Sequence, residues 1–291
     1  MNKITSGWIN GFIGVVIIAE SLPATRVAVM DFDPLFLTAV RATIPAIIGT
    51  MVLIALHQKV PTKEHLVSIV VTALGVVIGF PLLSALALQY ITSAHAIVFL
   101  GILPLLTAVF AVLRGDKRPP LIFWLFAVAG SAFVAGFAVL SKEDASNINA
   151  RLGGLFMLGA VTTCAIGYAE GARLTKVFGG WQVISWALII SLPVMLPLAI
   201  YTYPTSLDNV SSTGWIGLMY VSLFSMFIGF IFWYKGLALG GTASVGQLQL
   251  LQPFMGLMLA SVLLHETVSL GMIISTLGAI ICVAGAKRYS A

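Results

Sequence analysis

Charge is what this chain has least of. Asp, Glu, Lys and Arg together make up 9% of its 291 residues. A soluble domain of that length needs far more polar surface, so a soluble protein with a large apolar core is excluded. Cysteine is nearly absent as well. Cys164 and Cys282 both lie in apolar segments and give no disulfide scaffold. Catalytic signatures are missing: there is no G-x-S-x-G, no P-loop and no cysteine cluster. His265-Glu266 has Ser269 where a zinc-protease motif needs its second histidine. The sequence therefore predicts a protein that is not an enzyme and that takes no cofactor and no metal. An intramembrane enzyme acting on lipid or peptide is the alternative of a different class, and it lacks a nucleophile–base set. The longest polar stretch is roughly 141–151, so no extramembrane domain is expected. The first apolar run begins only a few residues from the N-terminus and shows no cleavage motif, so no removable signal peptide is expected either.

What is there is apolar. Hydrophobic residues make up 59% of the chain, and the mean hydropathy is +1.06. Apolar runs of about 20 residues recur, each long enough to cross a ~30 Å hydrocarbon core. Ten helices are predicted, at roughly 7–29, 34–56, 65–88, 93–113, 120–140, 152–173, 180–201, 213–235, 243–264 and 269–286. Prolines 34, 61, 119, 120 and 204 punctuate or flank the loops.

The basic residues orient these helices. With the N-terminus inside, the cytoplasmic segments hold Lys3, Lys59, Lys63, Arg114, Lys117, Arg118, Arg173, Lys176, Lys235, Lys287 and Arg288. The outer loops hold only Arg26, Lys142 and Arg151, and Arg41 lies within a span. That bias predicts cytoplasmic N- and C-termini in a bacterial-type inner (plasma) membrane. It also explains the net charge of +5 without any nucleic-acid partner.

The chain repeats itself. Gly79-Phe80, Leu86-Ala87-Leu88, Ser93-Ala94, Pro104 and Gly130 have counterparts in Gly229-Phe230, Leu237-Ala238-Leu239, Thr242-Ala243, Pro253 and Gly278. Five helices per half is an odd number, so the second half must enter the membrane from the opposite side. The predicted fold is an all-α integral membrane protein of ten transmembrane helices as two inverted five-helix repeats, 1–145 and 146–291, forming one transmembrane domain. Many carriers build a site open to either side in this way.

Glu20 is the most informative single residue. A carboxylate two-thirds of the way along a span costs at least ~2.5 kcal/mol, so it must face a cavity or a partner. It either binds an amine or takes up a proton, or it pairs with Arg41, whose depth is similar at 1.5 Å per residue. Arg41 reads first as that structural partner and second as a charge-coupling group. The small residues Gly7, Gly11, Gly14, Ser21, Ala24 and Ala28 predict a packing face on the first helix. Pro23 loosens the backbone beside Glu20. In the ninth helix Gln249 and Gln252 share a face with Gly256 and offer amides that donate and accept. Ser222, Ser225, Gly229 and Trp233 line one face of the eighth helix, a groove with an aromatic end, and Thr163 and Tyr168 of the sixth are candidates to add to that wall. His95 reads as a polar interface residue. Glu170 and Arg173 read as a local ion pair, and Asp116 and Glu266 as acids stabilising helix N-termini.

Several of these residues resemble the drug/metabolite transporter superfamily, in its EamA-like ten-helix branch. They are Asp33-Pro34 followed by Arg41, and Ala87-Leu88-Gln89-Tyr90 leading through Ser93-Ala94 to Pro104-Leu105 and Thr107-Ala108. The second copy, Leu237-Ala238-Leu239 through Gln252-Pro253 to Glu266 and Gly278, matches the family's repeat better. Two positions depart from the pattern: Arg114-Gly115-Asp116 stands where a Gly-Glu pair is usual, and Glu20 stands near where many members carry tryptophan. The resemblance implies a basket of two inverted halves, with a cavity lined mainly by helices 1, 3, 4, 6, 8 and 9. The expected substrate-binding residues are Glu20, Tyr168, Ser225, Trp233, Gln249 and Gln252, with Glu20 and Arg41 in proton or charge coupling. The expected activity is export of a small polar or amphipathic metabolite, with amino acids or their analogues as first choice. Proton-coupled export of cationic or aromatic drugs is the alternative. The expected partners are a small-molecule substrate and membrane lipid, and the protein is expected as a monomer or homodimer.

Overall fold

The computed structural model describes residues 2–140, 148–264 and 270–289. Their regular structure is helical, and no strand occurs among them. Among the described residues, seven helical segments are long and apolar enough to cross a bilayer: α1 (Lys3–Ala28), α2 (Pro34–Ala55), α3 (Lys63–Tyr90), α4 (His95–Leu113), α6 (Arg151–Phe178), α7 (Gly180–Tyr201) and α8 (Ser212–Gly240). Three further helical segments are α5 (Leu121–Leu140), α9 (242–264) and α10 (Leu270–Arg288). Helix α6 runs on to Phe178, five residues past its expected end. Gly179, at φ +90, then turns the chain into α7. Glu266, Lys142, Glu143 and Asp144 lie outside the described residues.

Loop chemistry sets where helices begin. Asp33 caps α2, its carboxylate accepting from the Leu35 and Phe36 amides at 2.8 and 3.2 Å. Pro34 follows at the first helical position, where its missing N–H costs nothing. Ser211 caps α8 in the same manner, accepting from the Gly214 amide at 3.0 Å.

The main helix pairings are α1 on α8, α2 on α7, α3 on α6 and α5 on α10. Segment 93–99 of α4 lies against 252–264 of α9, and 103–113 lies against 242–246, so α4 and α9 cross antiparallel. Exchanging the first five helices for the last five leaves this pairing scheme unchanged.

Lipid tails give helices no hydrophobic reason to associate, so close packing of small residues must supply the attraction. The α1–α8 seam is built that way. Gly7 meets the Gly240 backbone, Gly11 meets Gly236, and a Cβ on Gly14 would lie 2.7 Å from the Trp233 nitrogen. Further along, a Cβ on Gly217 would lie 2.8 Å from the Ala24 carbonyl and 3.4 Å from Ala28. The α3–α6 seam repeats the device: a Cβ on Gly75 would lie 2.6 Å from the Thr163 carbonyl and 2.8 Å from Gly167.

The two halves also share irregularities. Wide π-type turns occupy Ala73–Gly79 in α3 and Tyr220–Gly229 in α8. Tight 3-10 turns occupy Leu100–Ile102 in α4 and Gln247–Leu251 in α9. The tight turns have a visible cause: Pro104 and Pro253 lack the N–H that would bond Leu100 and Gln249 in a regular helix. Each carbonyl accepts instead from the residue three on, Leu103 or Gln252. Pro81 stands just beyond the α3 wide turn and has no counterpart in α8, so proline is not the common cause there.

Candidate substrate site

The site begins at a break in α1. Pro23 cannot donate to the Ala19 carbonyl, and the helix divides at Glu20 into Lys3–Ala19 and Ser21–Ala28. Glu20 is half-buried, and its Oε2 has no hydrogen-bond partner among the described residues. Tyr220 lies close enough to interact with it electrostatically, its hydroxyl donating to the Ile17 carbonyl at 2.9 Å.

Just past the break, Ser21 and Thr25 stand four residues apart on one face. Arg41 of α2 comes to meet them. Its guanidinium donates to Ser21 Oγ at 2.9 Å, Thr25 Oγ1 at 3.4 Å and, across the two halves, Ser225 Oγ of α8 at 3.3 Å. The side chain is 3% exposed, and its Nε has no partner. The expected pairing of Glu20 with Arg41 is not formed. The ion pairs among the described residues are Arg114–Glu170, Arg173–Glu170 and Lys176–Asp116. The depths of Glu20 and Arg41 do match, but one residue along a helix is about 100° of rotation. The face that turns to α2 is therefore that of Ser21 and Thr25.

An aromatic wall stands beside Arg41. Tyr168 of α6 is buried, with its ring centroid 5.4 Å from Trp233 and 5.8 Å from Phe230. It lies close to Cys164, and both residues interact electrostatically with Arg41. Trp233 rests over Gly14 and Gly11 of α1, and its Nε1 is buried without a partner. Helices α1, α2, α6 and α8 thus bring Arg41, Ser225, Tyr168 and Trp233 into one neighbourhood.

Helix α9 closes against the same part of α1. A Cβ on Gly256 would lie 3.2 Å from the Ala19 carbonyl, and Gln252 stands one turn before it. Gln252 and Gln249 are both buried. Gln249 turns its Nε2 to Thr107 of α4 at 3.4 Å and leaves its Oε1 without a partner. Gln247 is fully buried, with neither amide atom bonded. Its signal was an amide in an apolar helix, the same as its neighbours', but it does not share their face.

Other candidates take plainer positions. Thr163 bonds the Gly159 and Ala160 carbonyls of its own helix, and Ser222 bonds Leu218. His95 stacks on Phe99 at 6.0 Å. Glu170 is held more closely by Arg114, at 2.5 Å, than by Arg173, at 3.7 Å, a separation too long for a hydrogen bond. Outside the spans, the bond to Glu170 raises the Arg114 pKa above its ordinary value. Asp116 meets Lys176 at 3.0 Å. These contacts tie the α4–α5 turn to the end of α6.

Comparison with known proteins agrees with this architecture. The description EamA-like transporter family matches residues 5–140 and again 151–286. A protein of Bacillus subtilis (strain 168) named uncharacterized transporter YdeK is 57% identical over 290 residues and covers 100% of both chains. Uncharacterized transporter YvbV of the same organism is 23% identical, covering 89% of this chain and 84% of its own. A solved crystal structure shares the fold at a TM-score of 0.76 and 17% identity, over 98% of each chain. The resemblance carried by Asp33-Pro34, Arg41, Gln252-Pro253 and their neighbours is borne out: the chain belongs to the EamA-like transporter family.

Proposed function

We propose that the protein exports small polar or amphipathic metabolites, amino acids or their analogues first, across a bacterial-type inner membrane by alternating access. It does so with ten spans in two inverted halves, 1–145 and 146–291, and with both termini cytoplasmic. The carrying observation is the set of buried polar atoms without protein partners in both halves of the chain: Glu20 Oε2, Arg41 Nε, Trp233 Nε1, both amide atoms of Gln247 and Gln249 Oε1. A folded protein satisfies nearly all its buried polar groups, and those that no protein atom satisfies mark strain, a functional role, or a bound water or ion. Glu20 meets an ammonium group or exchanges a proton, and Gln249 and Gln252 hydrogen-bond the polar part. Tyr168 and Trp233 pack on the apolar part, with Ser225 at its edge. The unchanged pairing under exchange of halves and the antiparallel crossing of α4 and α9 support the inverted arrangement. The lysine and arginine bias supports the orientation.

The test is Glu20→Gln in proteoliposomes loaded with amino acids. Amino-acid efflux is expected to fall about tenfold or more and to lose its pH dependence. Unchanged flux and unchanged pH dependence would remove Glu20 from the mechanism. A second reading, proton-coupled export of cationic aromatic compounds, draws on Glu20 beside Tyr220. Counting protons moved per substrate separates the two.

A further inference from the structure

Arg41 is a buried cation with no opposite charge paired to it among the described residues. It is 3% exposed, and its protein acceptors are the hydroxyls of Ser21, Thr25 and Ser225. Those acceptors are neutral. No carboxylate among the described residues pairs with it, and its Nε has no acceptor. Burying an ion costs several kcal/mol unless an opposite charge and further hydrogen bonds offset it. An ionisable residue within a span faces the bundle interior or a water-filled cavity and commonly marks a substrate or ion path. Its planar fork presents donors in the geometry of a carboxylate's two oxygens.

The neighbourhood is asymmetric in a useful way. Ser21 and Thr25 follow directly on Glu20, so a lone carboxylate and a lone guanidinium flank one break in α1. The hydroxyls come from α1 and α8, so a ligand between them touches both halves of the molecule. Ser225 also sits in the wide turn of α8, where the helix is irregular.

We infer that Arg41, with Ser21 and Ser225, is the receptor for a carboxylate on the transported molecule. This rests on the transport reading above and sharpens it. The cargo carries a free carboxylate, and as a zwitterion it places its ammonium toward Glu20. A purely cationic compound meets an unneutralised guanidinium there and is disfavoured.

The experiment uses the purified full-length chain. Thermal stabilisation and binding are measured with L-threonine, L-leucine and L-phenylalanine, each beside its methyl ester and its decarboxylated amine. The ester keeps the ammonium and the side chain, and a methoxy group replaces the charged oxygen. The acid form is expected to bind at least about tenfold more tightly than either analogue. Arg41→Gln should abolish that preference, and Arg41→Lys should retain part of it. Ser225→Ala should weaken acid and not ester. Esters that bind as well as acids to the unmodified protein overturn the inference without any variant needing to fold. So does an Arg41→Gln protein that keeps the preference. Efflux from proteoliposomes is measured separately. Acid-selective binding without efflux overturns the transport reading and leaves the carboxylate site standing. Efflux of acid and ester at equal rates does the reverse.

Discussion

Glu170 shows how a charged side chain survives in this protein. It is 1% exposed, yet Arg114 reaches it from the α4–α5 turn and Arg173 from one turn along its own helix. Removing one partner of a buried pair is costly, because the other charge is stranded. Here the Arg114 side chain is 48% exposed, so water takes over much of that loss. Glu170→Gln is therefore expected to lower unfolding stability by about 1 kcal/mol, read from denaturant titration in detergent. A residue that sequence spacing paired with Arg173 thus takes its closer partner from 56 positions away. The site was only partly legible for the same reason. Charge in an apolar span marked Glu20 and Arg41, and amides marked Gln249 and Gln252. Which of these faces which depends on helix phase. Sequence spacing gave Glu20 and Arg41 a common depth, and rotation about α1 gave Arg41 to Ser21 and Thr25 instead.

At the scale of the helix, packing is decided by the absence of side chains. A methyl on Gly14 must displace Trp233 backbone, which no rotamer change can relieve. Gly14→Ala is expected to cost about 1–3 kcal/mol and to reduce transport with it. Gly136→Ala is the control, because an added Cβ there meets nothing within 4 Å. Its expected effect is neutral or slightly stabilising, and thermal unfolding of the two variants side by side checks the contrast. The small-residue stripe of α1 was legible because its spacing is a property of one helix. The register of Gly7 on Gly240 was not, since it needs a partner more than two hundred residues away. The tight turns fall between these cases. Pro104 and Pro253 announce a disturbance, but only the backbone shows Leu100–Leu103 and Gln249–Gln252 held by the same hydrogen bond. One scaffold position carries leucines in the first half and glutamines in the second, and the chemistry of that turn is set by side chain alone.

At the scale of the whole molecule, fold class was the most legible property. Composition excluded a soluble domain, and recurring apolar runs stated helices before any coordinate. The pairing of helices was not legible, since every apolar helix of this length presents lipid with much the same surface. Expressed separately, segments 1–145 and 146–291 are each expected to be degraded or to aggregate. Co-expressed, they should recover a complex that co-purifies and transports. A stable first segment on its own, seen as a sharp peak in size exclusion, would contradict this.

That expectation follows from the α1–α8 seam, and the seam also bears on how its two faces meet. A chain of half this length would carry a glycine face with nothing of its own to cover it. Such a chain needs a partner that brings the face of Trp233, Gly236 and Gly240 to it. With both segments on one chain, that meeting is intramolecular and its effective concentration is set by the connection between them.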